Sequence, residues 1–206
     1  MIETELKLTA PNQEVLLQVL EAPAIQNHVV EERSTGPVLY SGRYYDTASL
    51  DLLRAGCSFR ARLEGEKYVA ALKMPGTIRD GISSREEIEQ LIDGWLQTGS
   101  ELPQCHLKDK LGQLINLDRK LICRVQVDTQ RTIRWLNLEG SEVELVCDHA
   151  NIQANQKQVD LYEVELELKS GEIDPLLKLG ENLQNHFDLS LSTTTKHQIG
   201  LSLLNA

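Results

Sequence analysis

Two stretches of the chain place like-charged side chains two residues apart. Glu163, Glu165 and Glu167 alternate with Tyr162, Val164, Leu166 and Leu168, and Arg60 and Arg62 alternate with Phe59, Ala61 and Leu63. That alternation is the period of a β-strand, so each charged set stands on one face. Residues two apart on such a face are separated by roughly 7 Å. Carboxylates that close raise one another's pKa unless positive charge stands between them. Salt mutes the cost on an open wetted face, but inside a confined site three in-phase glutamates imply a divalent cation. Residues 2–8 repeat the pattern with Glu3, Glu5 and Lys7 set against Ile2, Leu6 and Leu8, and Lys73, Arg85, Glu87 and Arg131 add to the charged set. Hard oxygen donors without thiolate favour magnesium or manganese over zinc. The planar forks of paired arginines fit phosphate oxygens. Metal carboxylates with several Arg and Lys are the parts of a phosphoryl-transfer site, which works by positioning and charge neutralisation. The plainer reading is a half-buried sheet with a solvated outer face. It predicts mixed Ser, Thr, Lys and Glu faces, not acids on one set of strands and bases on another.

The elements that must carry these faces follow from the same periodicity. Further strands are expected over 41–46, 59–63, 67–74, 82–89, 122–128, 131–138, 143–148 and 161–168. Asn12 caps a helix running to about Leu20 with Val15, Leu16 and Val19 on its apolar face. A short helix over 48–55 stops at Gly56. Others span 107–115, 175–187 after the Asp174-Pro175 start signal, and Thr194 to Leu204. Segment 88–98 fits either strand or helix. Turns are expected at Thr35-Gly36-Pro37, residues 63–66, Met74-Pro75-Gly76, Asp80-Gly81 and Ser170-Gly171. Roughly eight strands and five or six helices make an α+β fold with a dominant antiparallel sheet.

The bulk properties narrow the function. The 206 residues suit one domain, with 41% apolar and 25% charged residues as in ordinary globular proteins. A formal net charge of −10 argues against a general nucleic-acid footprint and against an anionic membrane surface. A small anionic substrate fits if basic residues gather locally. The partner expected is therefore a small anion, with no nucleic acid and no membrane, on a monomer or weak homodimer. The four cysteines, Cys57, Cys105, Cys123 and Cys147, show no CxxC spacing and read as buried free thiols. Glu3, Glu5 and Lys7 stand where a signal peptide needs an apolar run, and no apolar run reaches the ~20 residues of a membrane span. A cytoplasmic location is expected.

In chain order, the charged strands resemble the CYTH (triphosphate tunnel metalloenzyme) family. Met1-Ile2-Glu3-Thr4-Glu5-Leu6-Lys7 is similar to its opening ExExK signature. Tyr44-Tyr45-Asp46-Thr47, Phe59-Arg60-Ala61-Arg62, Leu72-Lys73, Ser84-Arg85-Glu86-Glu87, Arg131, Val143-Glu144-Leu145 with Asp148, residues 162–167, and Thr195-Lys196 follow in the family's order. The likeness covers nearly the whole chain and is greatest to the N-terminal domain of bacterial inorganic triphosphatases. It implies one CYTH domain over 1–206: eight antiparallel strands closed into a barrel, a polar charged lumen, and helices packed outside.

The resemblance also implies an activity and roles. The activity is metal-dependent hydrolysis of inorganic triphosphate to diphosphate and phosphate. Alternatives on the same fold are a class IV adenylate cyclase, a thiamine or nucleoside triphosphatase, and a polyphosphate-binding module without catalysis. Glu3 and Glu5 with late glutamates from Glu163, Glu165 and Glu167 would hold magnesium or manganese, the late pair being Glu163/Glu165 or Glu165/Glu167. Lys7, Arg60, Arg62, Lys73, Arg85, Arg131 and Lys196 would bind phosphates. Glu87, Asp148 and Lys7 form the implied catalytic group, with Glu87 and Asp148 placing a second metal or the attacking water. Glu144 either lines the tunnel or faces solvent. His197-Gln198-Ile199-Gly200 lacks the further basic residue the pattern calls for after Lys196. The chain also ends before the helical, histidine-rich domain that follows in similar proteins. His28, His106, His149 and His186 read as surface or loop residues, and His197 as a group near the tunnel mouth. Trp95 and Trp135 read as packing residues, and Asp46 and Thr47 as a helix cap. With 4% aromatics there is no evident adenine platform, which favours an inorganic substrate.

Overall fold

A computed structural model describes residues 2–30, 33–79 and 81–205. The strands are β1 (Ile2–Ala10), β2 (Thr35–Asp46), β3 (Ser58–Glu64), β4 (Lys67–Arg79), β5 (Ile82–Ile92), β6 (Ile122–Leu138), β7 (Ser141–Ala154), β8 (Lys157–Ser170) and a two-residue β9 (Ser190–Leu191). The helices are α1 (Gln13–Glu21), α2 (Pro23–Gln26), α3 (Asp51–Arg54), α4 (His106–Leu114), α5 (Asp174–His186) and α6 (Lys196–Asn205). Strands pair antiparallel in the order β5-β4-β3-β2-β6-β7-β8-β1, and β1 then pairs back with β5, so eight strands close into a barrel. β9 lies outside on β1, opposite Leu8 and Thr9. Among the described residues, no helix is long and apolar enough to cross a membrane.

β1 shows how closure works. Its first half pairs with β5 through Ile2↔Glu86 to Leu6↔Ile82, while its other edge pairs with β8 through Glu5↔Glu167 to Ala10↔Tyr162. The strand thereby carries Glu3, Glu5 and Lys7 inward and Leu6 and Leu8 outward. The outward side chains of β1, β7 and β8 form one core with α1, α2 and α5, including Leu8, Leu145, Leu166, Val19, Ile25 and Leu176. Those of β2 to β5, including Phe59, Ala61, Leu72 and Ile88, form a second with α3 and α4. The polar faces of the strands therefore point into the lumen and the apolar faces lie under helices, an inversion seen in barrels that enclose ligands.

Sequence and structure differ in detail at several places. The expected strands 122–128 and 131–138 are one strand, β6. Thr35-Gly36-Pro37 and Met74-Pro75-Gly76 are not turns between strands; they are register shifts inside β2 and β4. At the second, a Cβ on Gly76 would lie 2.5 Å from Ser84 O and from Arg85 Cβ, so only glycine lets β4 approach β5 there. Segment 88–98 is strand to Ile92. Asp80 of the expected Asp80-Gly81 turn lies outside the described residues. Asn12 does cap α1, its Oδ1 accepting from Val15 N at 3.1 Å. Cys123 is exposed, and all four cysteines are free thiols.

The sixth helix departs from the others. Val125, Val127, Ala150 and Ile152 lie buried in a third cluster against Ile199, Leu201 and Leu203 of α6. Val127 shares its face of β6 with the lumen-lining Thr129 and Arg131, so α6 covers the inner face of β6 and β7 at one end of the barrel. Contact is close: a Cβ on Gly200 would fall 2.2 Å from Val125 Cγ1.

Candidate active site

The lumen is a cavity of ≈ 660 Å³ lined by side chains from all eight barrel strands and the start of α6. Its charged groups lie in successive rows, as alternate residues on adjacent strands dictate. At the end covered by α6, Lys196 Nζ contacts Asp148 Oδ2 at 2.9 Å, Glu165 Oε1 at 3.1 Å and Glu163 Oε2. His197 stacks on Tyr44 with ring centroids 4.9 Å apart, closing that end rather than standing at the open mouth. Arg131 forks onto Asp148, with Nε and Nη2 at 2.8 and 2.7 Å from its two oxygens. Lys7 bridges Glu165 at 2.6 Å and Glu5 at 3.0 Å.

Further along, Glu3 accepts from Lys73 at 2.9 Å and from Arg85 Nε at 2.9 Å, and Arg85 Nη2 reaches Glu5 at 3.0 Å. Lys73 also meets Glu87 at 2.8 Å, with Arg60 at 3.6 Å from the same carboxylate. Arg62 is held by Glu64, and Glu167 by Lys169 at 2.6 Å. Side-chain exposure along β8 rises from 1% at Glu163 through 13% at Glu165 to 21% at Glu167, so the cavity opens at the end away from α6.

This pairing sets the protonation states. Burial opposes ionisation of Glu3, yet Lys73 and Arg85 outweigh it and bring its pKa down to about 2. Burial likewise works against Asp148 and Glu165, and in each case the cations win: Arg131 and Lys196 for Asp148, Lys196 and Lys7 for Glu165. Glu163 goes the other way. Burial dominates, Lys196 and Lys7 oppose it, the neighbouring Glu165 adds to it, and its pKa rises to about 7. Burial favours loss of the proton on Lys7 and on Lys196, but the surrounding carboxylates raise both, so each stays an ammonium at neutral pH. Lys7 is therefore a fixed cation and no proton acceptor.

The donor chemistry fits a hard divalent cation at one place. Asp148, Glu163 and Glu165 each offer a carboxylate oxygen, all within 4.8 Å of one another. Glu163 Oε1 is buried and faces no N–H or O–H donor, so the group is relieved by a proton shared with Glu165 or by a cation. All three ligand atoms are oxygens, as magnesium and manganese prefer. Asp148, which the resemblance gave a catalytic part, thus sits with Glu163 and Glu165, while Glu167 turns to Lys169 and Glu144.

Every residue named from the sequence as a phosphate or metal group has its side chain in this lumen or in direct ion contact with it. Glu144 lines it, with Lys169 at 3.5 Å. Asp46 and Thr47 are capping groups: Asp46 accepts from Leu52 N and Leu53 N at 3.0 Å each, and Thr47 Oγ1 from Asp51 N. Sequence reasoning missed Glu64, Lys169 and Tyr44. All three lie in phase with the charged faces, two residues beyond Arg62 and Glu167 and within the quoted tyrosine motif, so extending the alternation by one step would have found them. Trp135 faces the guanidinium of Arg33, whose Cζ is 3.5 Å from the ring centroid.

A closed eight-stranded barrel whose lumen pairs arginines and lysines with carboxylates defines a class of anion-handling tunnel proteins. The CYTH domain matches residues 1–198, and the chain belongs to that family. It is 27% identical over 161 residues to an inorganic triphosphatase of Haemophilus influenzae, covering 78% of this chain and 44% of that protein. The chain thus spans less than half the length of this curated relative. Solved structures share the fold. A Hippeastrum protein described as an adenylyl cyclase candidate with a dominant triphosphatase activity superposes with a TM-score of 0.69 at 22% identity, over 97% of this chain and 95% of its own. A Bacillus halodurans protein described as an adenylate cyclase candidate gives 0.60 at 20% identity, over 94% and 95%. The mimivirus capping-enzyme triphosphatase gives 0.52 at 14% identity, over 89% and 86%.

Proposed function

We propose that this chain hydrolyses inorganic triphosphate to diphosphate and phosphate with a divalent metal ion, magnesium or manganese. The observation that carries the reading is the lumen itself: Lys7, Arg60, Arg62, Lys73, Arg85, Arg131 and Lys196 converge on one enclosed volume that also holds the Asp148, Glu163 and Glu165 carboxylates. Binding without turnover needs the bases alone; the carboxylates add nothing to affinity for an anion. The curated relative named as an inorganic triphosphatase supports the same substrate.

In this reading Asp148, Glu163 and Glu165 would hold the metal, and Lys7 links Glu5 to Glu165 beside them. When bound, the metal supplies charge neutralisation on the phosphate oxygens and orients water for attack. The chain's own residues do the rest. Arg60, Arg62 and Arg131 clamp phosphate oxygens with planar forks, and Lys7, Lys73, Arg85 and Lys196 supply fixed positive charge. Glu87, held between Lys73 and Arg60, accepts a hydrogen bond from the attacking water and takes its proton. No side-chain nucleophile is required.

The test is phosphate release from inorganic triphosphate, ATP and thiamine triphosphate in parallel, with magnesium, manganese or chelator. Preferential release from inorganic triphosphate, abolished by chelator, is expected. Cyclic AMP from ATP would move the function to a cyclase. Affinity for polyphosphate with no turnover under either metal would make the chain a binding module.

A further inference from the structure

One aromatic ring in the lumen lies beside two of the arginines assigned to phosphate. Tyr40 stands on β2 in phase with Gly42 and Tyr44, and all three line the cavity. The Arg62 guanidinium lies over its ring with Cζ 4.9 Å from the centroid, and the Arg131 guanidinium lies over the same ring at 5.6 Å. Both fall inside the ~6 Å at which a ring face attracts a cation. The two arginines arrive from opposite edges of β2, Arg62 from β3 and Arg131 from β6. Register brings them together. Arg62 is opposite Gly42, two residues one way from Tyr40, and Arg131 is opposite Val38, two residues the other way. Gly42 has no side chain, so Arg62 is free to lean toward the ring.

These contacts answer a charge problem. Arg62 spends Nε and Nη2 on Glu64, and Arg131 spends the same two nitrogens on Asp148. Nη1 of each makes no hydrogen bond among the described residues, which leaves it for a phosphate oxygen. Burial, then the charges of Arg60 and Arg131, work against the Arg62 cation, and Glu64 works for it. Arg62 and Arg131 therefore repel each other, yet an anion bound between them needs both turned toward one volume. The negative face of a ring attracts both without taking up the nitrogens that phosphate needs. Burial, joined by Glu64, raises the Tyr40 pKa against the pull of Arg62 and Arg131, so the phenol is uncharged at neutral pH. The support comes from the ring face and not from the hydroxyl.

We propose that Tyr40 is a positioning residue whose ring holds Arg62 and Arg131 side by side, so that both guanidiniums meet the same polyphosphate. The inference rests on the triphosphatase reading for its substrate and on the ring contacts for its residue. Two variants divide the side chain. Tyr40→Phe keeps the ring and removes the hydroxyl; Tyr40→Leu removes the ring. Tyr40→Met replaces Tyr40→Leu if the latter does not fold.

The experiment measures kcat and KM for tripolyphosphate with magnesium or manganese in wild type, the Tyr40 variants, Arg62→Met, and Arg62→Met combined with Tyr40→Leu, with thermal melting as a check on folding. Tyr40→Leu is expected to lower kcat/KM about tenfold, mainly through KM, at about threefold for each arginine. Tyr40→Phe should stay within about twofold of wild type, because the ring remains. In the Arg62→Met background the leucine change should cost only about threefold, since Arg131 alone still depends on the ring. A ring that merely filled space would cost the same in both backgrounds. The proposal is overturned by a folded Tyr40→Leu protein within about twofold of wild type, by a Tyr40→Phe protein as impaired as Tyr40→Leu, or by an undiminished cost in the Arg62→Met background. If wild type hydrolyses no tripolyphosphate, the triphosphatase reading has failed. Calorimetric affinities for tripolyphosphate with the same metals then decide the role of Tyr40 by the same limits, and a wild type that does not bind it overturns that role as well.

Discussion

Replacing Lys196 with methionine should make the stability of this protein depend on pH and on divalent metal in a way the wild type's does not. Lys196 Nζ touches Asp148, Glu163 and Glu165 at the covered end of the barrel. Two of those acids keep other cations in the variant: Arg131 on Asp148 and Lys7 on Glu165. Glu163 does not, since Lys196 is its only salt-bridge partner among the described residues. Its escape is to keep a proton. A carboxyl whose folded pKa lies above its unfolded one holds more protons when folded, so its contribution falls as pH rises toward the folded pKa. In the wild type that decline ends near the Glu163 value of about 7. Without Lys196 the pKa rises further and the decline continues. Each pH unit then costs ~1.4 kcal/mol, so two units above neutrality cost ~2.7 kcal/mol. At about 2–4 °C per kcal/mol for a domain of this size, the melting point at pH 9 should fall about 5–11 °C below wild type, with a much smaller gap at pH 6.5. A divalent cation can replace the lost ammonium, and ligand at a hundred times its Kd stabilises by about 2.7 kcal/mol. Magnesium should therefore raise the variant's melting point more than the wild type's. Melting curves at the two pH values, with magnesium or chelator, decide the matter. A gap that stays constant with pH, or equal magnesium shifts in both proteins, would refute the assignment of Lys196 as the counter-charge of this carboxylate group.

Other outcomes follow from the same contacts. Glu5→Gln should lower turnover strongly with the melting point little changed, because Glu5 anchors Lys7 and Arg85 beside the carboxylate group while those two cations keep Glu165 and Glu3 as partners; wild-type rates would show that Glu5 has no part in the site. Arg60→Ala should lower kcat and raise KM for triphosphate, together roughly 100-fold or more in kcat/KM, as for loss of a clamp on the reacting group; unchanged kcat/KM would put Arg60 outside the site. His197 is buried on Tyr44 with its pKa pushed down to about 4 by burial, Asp46 opposing. The folded state binds fewer protons there than the unfolded chain between pH ~6.5 and that value, so its stabilising share is lost as pH falls through the window. His197→Phe should flatten that part of the melting profile between pH 6.5 and 5, and an identical slope in both proteins would show that another group titrates.

The barrel was legible because its strands obey one rule throughout. Glu3, Glu5 and Lys7, Arg60 and Arg62, and Glu163 to Glu167 alternate with apolar residues, and that period of two assigns each side chain to a face without knowledge of neighbours. Which strands adjoin is a different kind of information. Asp148 carries no neighbour in sequence that marks it as a partner of Glu163; the β7–β8 register places the two opposite each other. The carboxylate group with 4.8 Å spacing therefore could not be separated from the Glu165/Glu167 alternative by pattern alone. Glycine and proline misled the strand boundaries for a physical reason. Both favour turns, but Gly76 and Pro37 sit where a strand shifts register, and a bulge draws on the same backbone freedom as a turn.

The closed end was the least legible feature, and the reason lies in α6. Its residues Ile199, Leu201 and Leu203 read as an ordinary apolar helix face, which packs against the outer wall of a barrel in the default arrangement. Two facts place this helix on the inner face instead. Val125, Val127, Ala150 and Ile152 continue the lumen phase of β6 and β7 as apolar residues beyond the charged rows, so those strands switch from a polar to an apolar inner face partway along. Gly200 then permits the backbone of α6 to approach Val125 within van der Waals contact. A strand whose inward face changes character in this way needs something apolar inside the barrel to cover it. With α6 seated there, Lys196 is carried to the bottom of the cavity, beside acids that are almost wholly buried. The helix thus supplies both the seal and, among the described residues, the one cation within salt-bridge distance of Glu163, which is why the substitution most informative about the carboxylate group lies on a helix and not on any of the strands that carry the acids.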